Sequence, residues 1–221
     1  MIGVMRYLRC LAGLPLLLLW GCAERRNMSL FQAAEAGDTP AIEAAVSCSA
    51  DVNQKNESGL TALILAARAG KALPVETLVR HRADPNLRGG VNDWTPLMHA
   101  IHRNQTGTAR ALLEAGADVS LRGRNGETAL MMAAGYGYTP IVELLLERGA
   151  NPWAQTPDGR TVFSVAVAGV ADIDRFTLAS CQSSTVQALK RKDPTLHLPD
   201  NLWGRAAKVM AAVAKLRGCI Y

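Results

Sequence analysis

The tripeptides TAL at residues 61–63, TPL at 95–97, TAL at 128–130 and the looser TVF at 161–163 recur at spacings of 34, 33 and 33. A second series keeps the same beat, with ADVN starting at Ala50, ADPN at Ala83, ADVS at Ala117 and ANPW at Ala150. Two motif series in phase at this period mean stacked structural units, because a unit so short cannot bury its apolar face alone and needs a neighbour beside it. Contacts must then run between adjacent units, and the core becomes a continuous band.

The unit from Thr128 to Pro152 shows the local logic most clearly. In TALMMAA, Leu130 and the small Ala133 and Ala134 sit at helical spacing, which lets a neighbouring helix approach closely. Gly135 and Gly137 then stop that short helix. YTPIVELLLERGA supplies a second helix, with Thr139 expected as N-cap and Pro140 as the first helical residue. Its apolar residues Ile141, Val142, Leu144, Leu145 and Leu146 are too many for one face, as expected when both sides meet a neighbour. The polar, glycine-bearing NPWAQTPDGR turns the chain into the next unit.

These residues resemble the ankyrin repeat, with its G-x-TPLHxAA first helix, its IVxLLLxxGA second helix and a D-x-N ahead of a hairpin loop. The resemblance covers roughly residues 28–170 and is most specific in the units starting at Thr61, Thr95 and Thr128. It implies an all-α solenoid of about five helix-turn-helix units with hairpin loops. SLFQAAEAGDTPAIEAAV reads as an N-terminal capping unit with Gln32 and Glu35 outward, and the pattern fades after TVFSVAVAGV. Where the family carries the histidine of TPLH, this chain has Ile64, Met98 and Met131, so apolar packing must replace that side chain's hydrogen bonds.

The resemblance also implies a protein-binding surface built from hairpins and first helices, with no reaction attached. The position before each threonine holds Leu60, Trp94, Glu127 and Arg160. Seven and eight residues after it stand Arg68 and Ala69, His102 and Arg103, then Gly135 and Tyr136. Repetition sets such positions side by side, roughly 10 Å apart at usual helix-packing distances. Trp94, Arg103 and Tyr136 are residue types that anchor interfaces. The expected site is therefore Leu60, Arg68, Trp94, His102, Arg103, Glu127, Tyr136 and Arg160, on a chain acting as a monomer.

Catalysis is the competing class. His99 and His102 share a helix face at a spacing of three, but a zinc site needs more ligands, and adjacent units offer Met98, Met131 and alanines. No G-x-S-x-G elbow, phosphate-cradling loop or HExxH occurs. An enzyme or metal-binding protein on the array is thus the alternative, and no catalytic residue, metal or cofactor is assigned.

The N-terminus addresses location. Only Cys10 to Ala23 separate the charged Arg9 and Glu24, a helix of roughly 21 Å against a hydrocarbon core of roughly 30 Å. Pro15 interrupts it. Basic Arg6 and Arg9, an apolar run through Leu19 and the small Gly21 and Ala23 form the pattern of a secretory signal over residues 1–21. LWGC resembles the lipobox of bacterial lipoproteins, although Trp20 stands where that family carries a small or β-branched residue. The resemblance implies lipidation at Cys22 and, with Ala23 behind it, delivery to the outer membrane facing the periplasm. Ordinary cleavage near Ala23 would leave a soluble periplasmic protein instead. Residues 22–27 would form a tether reaching less than about 20 Å, so a partner in the envelope would work close to the membrane.

Composition fits a folded domain, with 49% hydrophobic and 19% charged residues. From Gln182 onward seven bases face only Asp193 and Asp200. Such a tail suits an anionic surface, an acidic partner or simply a solvated helix face, and nothing resembles a nucleic-acid module. Residues 171–221 are assigned to a C-terminal cap whose amphipathic helix starts at Asp200 or Asn201, carries Leu202, Ala206, Val209, Val213 and Leu216 on one stripe, and stops at Gly218. Cys181 and Cys219 are a possible disulfide in an oxidising compartment. Cys48, four units away from Cys181, is expected to be a small core residue.

Overall fold

The computed structural model describes residues 29–48, 50–168 and 183–196. Within them the chain forms ten helices in five pairs: α1 Leu30–Ala36 and α2 Thr39–Ser47, α3 Ala62–Arg68 and α4 Ala72–Arg80, α5 Pro96–His102 and α6 Thr106–Glu114, α7 Ala129–Tyr136 and α8 Thr139–Glu147, α9 Val162–Ala168 and α10 Ser183–Lys192. The first helices of successive pairs pack on one another in one row, and the second helices form a second row behind them. Four antiparallel bridges, Lys55 with Thr61, Gly89 with Trp94, Arg122 with Thr128 and Gln155 with Thr161, close the hairpins between pairs. The expected all-α ankyrin solenoid is the observed architecture.

Each recurring threonine starts its helix. The hydroxyls of Thr61, Thr95 and Thr128 accept from the backbone N–H of Ile64, Met98 and Met131 at 3.2, 3.3 and 3.3 Å. An N-cap of this kind contributes about 1 kcal/mol. Thr161 repeats it with Ser164 at 3.0 Å. Ser29 opens α1 through a reciprocal capping box with Gln32. Ile64, Met98 and Met131, which replace the family's histidine, lie fully inside the band with Leu63, Leu97 and Leu130. Ala66, Ala100, Ala133 and Ala134, in the row of first helices, are completely buried.

The second helices are entered differently from the expectation. Thr139 is the first residue of α8 and Tyr138 its cap, so Pro140 lies one position further in, still within the first turn, where its missing N–H removes no helical bond. Gly135 is a buried residue of α7, which ends at the left-handed Gly137. Elsewhere Asn104 supplies the same left-handed turn at φ 56. In each case the N–H of the cap bonds back into the first helix, as from Gln105 to Ala100 at 2.9 Å and from Tyr138 to Ala133 at 3.0 Å.

One further correction and one addition concern the ends. Cys48 follows α2 and is exposed, because the buried face of that helix is carried by Ala41 and Ile42. Within the segment assigned to the C-terminal cap, α10 packs against α8 and α9, in the place of a second helix. Residues 169 to 182 intervene there, whereas two or three residues suffice in the other pairs. The hydroxyl of Thr139 meets those of Ser184 and Thr185, both at 2.9 Å, and Arg191 pairs with Glu143 at 2.8 Å. Expectations for the signal segment 1–21, Cys22, the tether 22–27, Cys181 with Cys219 and the helix after Asp200 fall outside the described residues. Among the described residues no helix is long and apolar enough to cross a membrane.

Candidate partner-binding face

The C-terminal ends of α3, α5 and α7, with the hairpins beside them, bring together most of the expected residues. Trp94, just ahead of the Thr95 cap, is half-buried and donates its indole N–H to Glu127 Oε1 at 2.6 Å. Glu127 occupies the same position one unit later, so the two expected contact residues first contact each other. The Trp94 ring also lies 5.5 Å from the ring of His99 and 5.2 Å from that of His102. His102 Nδ1 is 2.8 Å from the hydroxyl of Tyr136, and Tyr136 stacks on Tyr138 with ring centroids 5.4 Å apart. A continuous row of five rings therefore crosses from the third unit into the fourth.

Gly123 makes room for this row. A Cβ there would lie 2.5 Å from Glu127 Oε1 and 2.8 Å from Trp94 Cδ1, closer than atoms pack. The other Glu127 oxygen, Oε2, is buried with no hydrogen-bond partner. His99 is held well below its ordinary value, at about 4, chiefly because burial disfavours its charged form. Its 3.5 Å contact with the Gly89 carbonyl opposes this, and the charges of Arg68, His102 and Arg103 add to it. At neutral pH the His99 end of the row is an uncharged ring within reach of the Arg68 and Arg103 charges.

Leu60 is not part of this surface. It is only 6% exposed and packs in a cluster with Ile64, Leu65 and Phe31, because an apolar side chain at that position turns inward between units. Arg160 turns to its own hairpin, with Nε 2.8 Å from Asp158 Oδ2. Arg68 ends α3 half-buried and Arg103 caps α5 exposed. Neither has an ion-pair partner among the described residues.

Sequence reasoning missed two members of the row as surface residues, His99 and Tyr138. The signal for His99 was present: in register with it stand the buried Leu65 and Met132, so a histidine there marks a place where the inner face turns polar. Tyr138 sits at the cap of α8, where the other units carry Lys71 and Gln105. Among the described residues no group of three His, Cys, Asp or Glu side chains is placed to hold a metal ion.

Comparison with known proteins agrees with this architecture. Residues 30–123 match ankyrin repeats in a form with three copies, and residues 112–166 match ankyrin repeats in a form with many copies. The chain is 35% identical over 145 residues to the rat ankyrin repeat and SAM domain-containing protein 6, covering 61% of this chain and 16% of that one. It is 32% identical over 143 residues to the mouse B-cell lymphoma 3 protein homolog, 65% of this chain and 30% of that one. A bacterial relative, an ankyrin repeat-containing protein of Treponema pallidum (strain Nichols), is 35% identical over 101 residues, 46% of this chain and 34% of that one. The chain thus spans 16 to 34% of the length of these relatives. With its helix pairs, hairpins and threonine caps all in register, the chain belongs to the ankyrin-repeat family.

Proposed function

We propose that this chain is a protein-binding module, exported and lipid-anchored through Cys22 in a bacterial envelope, where it acts as a scaffold or an inhibitor of one partner. The observation that carries the binding reading is the half-buried ring row from Trp94 to Tyr138, bordered by Arg68 and Arg103. Rings and guanidinium groups on a rigid stack are the groups that anchor protein interfaces at low ordering cost. The envelope assignment is supported by the signal pattern of residues 1–21 and the LWGC segment.

Two measurements test these parts separately. A photoreactive residue at Arg103, which is exposed where Trp94 is not, should give a discrete adduct with one protein in cells, lost when Tyr136 is changed to alanine. A correctly folded protein that yields no adduct removes the reading of this face. For the anchor, Cys22→Ala should shift the chain from the membrane fraction to the soluble one; a variant that still pellets with membranes removes lipidation.

A further inference from the structure

We propose that Asn125 is a modification site, where the side-chain amide is lost spontaneously to water and the carboxylate left behind loosens the joint between units three and four.

Sequence supplies the chemistry. Asn125 is the only asparagine of the chain that is followed by glycine. An asparagine amide is thermolabile, and it reacts when the next backbone nitrogen reaches its Cγ, an approach that a glycine without a Cβ obstructs least. The Gly126 nitrogen bonds to Asn125 Cγ and ammonia leaves, giving a cyclic imide. Water then opens either C–N bond of the ring, to aspartate or to an isoaspartate whose backbone runs through the side chain. Nothing is oxidised or reduced, and water is the one co-reactant.

The fold leaves this pair open to reaction. Asn125 is exposed at a hairpin tip, and its side chain makes no hydrogen bond among the described residues. The hairpin of the next unit closes with the same backbone bond, from Gly159 N–H to the Thr156 carbonyl at 2.8 Å, against Gly126 N–H to the Gly123 carbonyl at 3.0 Å. The residue aligned with Asn125 there is Asp158, whose carboxylate is held by Thr156 and Arg160. Asn125 has neither hold, because Gly123 and Glu127 stand in those places. Since the Gly126 N–H is engaged, ring closure waits for the tip to open, a local event that leaves the apolar band closed.

The next unit also shows where the new charge points. Thr156 reaches Asp158 from the position of Gly123, and Glu127 Oε1 lies 2.5 Å from where a Gly123 Cβ would be. A carboxylate at 125 therefore faces that of Glu127. Glu127 is already half-satisfied, with Oε1 on the Trp94 indole and Oε2 buried without a partner. A second negative charge beside it disfavours its charged form and weakens the bond that Trp94 makes across the joint.

The test holds the purified full chain in warm, mildly alkaline buffer and follows the peptide carrying Asn125 by mass spectrometry. Asn125 should convert to the acid before any other asparagine, at a rate that stays flat in urea below the unfolding transition. Asn125→Asp should melt about 2–4 °C below the wild type and should cost nothing further in the Glu127→Gln background. Asn125→Ser, which installs the residue that unit two carries there as Ser58, should melt like the wild type and keep its melting point on incubation. An Asn125 retained in the folded chain under conditions that convert it in the urea-unfolded chain overturns the proposal, as does a rate that climbs with urea as the unfolded fraction does. An Asn125→Asp variant as stable as the wild type, or one whose loss persists in Glu127→Gln, overturns the loosening of the joint.

Discussion

The joints between units one and two and between units two and three are clasped in one manner, and the joint between units three and four in another. In the first two an asparagine after the second helix reaches the next loop. Asn53 accepts from Asp84 N–H at 2.9 Å and donates to the Arg82 carbonyl at 3.3 Å, and Asn86 does the same with Asp118 and Gly116 at 2.8 and 3.4 Å. At the third such position stands Ser120, whose short side chain turns back to Asp118 at 2.7 Å. Trp94 with Glu127 and His102 with Tyr136 bond across that joint on the side of the first helices, and Arg148 meets Glu114 on the side of the second. The ADVN series is spaced 33, 34 and 33 across the three joints, so the period does not follow the clasp. Which edge of a joint is clasped is therefore a side-chain decision, free to vary without altering the stack.

The apolar band common to all joints should dominate stability, so Met98→Ala, at a fully buried site, should cost about 2–5 kcal/mol in urea unfolding. A loss below about 1 kcal/mol would mean that the clasps and not the band hold the array. Trp94→Phe keeps most of the ring but removes the indole donor from Glu127, and should cost about 1–3 kcal/mol. In a double-mutant cycle with Glu127→Gln the two changes should be strongly non-additive; simple additivity would show that the clasp carries no energy. Ser120→Asn rebuilds at the third joint the clasp of the first two and should raise stability by about 0.5–1 kcal/mol. No gain would show that the Trp94 clasp has already set that joint's geometry.

The last effect is a pH dependence centred on the ring row. His99 has a folded value near 4 against an ordinary 6.5, so on acidification the unfolded chain takes up its proton first. Its contribution is complete above about pH 6.5 and is lost progressively down to about pH 4. The charged or titratable groups that face it are Arg68, His102 and Arg103. Melting temperature should fall across this window in the wild type, and His99→Gln should flatten the slope. An unchanged slope would place the titration elsewhere.

Units led by Thr61, Thr95 and Thr128 were readable because their signals are local: a cap, a pair of alanines, a glycine or proline at fixed offsets. α10 was not, because SSTVQALKRK lacks the leucine run and the trailing glycine of α6 and α8, and its place is set by contact with α8 and α9. At the candidate face, the positions were identified but their directions were not. Four residues in register at Leu60, Trp94, Glu127 and Arg160 suggested four equivalent exposed contacts. Side-chain chemistry sent Leu60 inward, Trp94 to Glu127 and Arg160 to Asp158. Such choices depend on partners one unit away, information that periodicity alone does not carry.

Gly123 sits under the bond that joins units three and four. A larger residue there must push the Trp94 indole or the Glu127 carboxylate aside, so it would loosen that joint through the side chains above it while the backbone turn at 123 stays as it is.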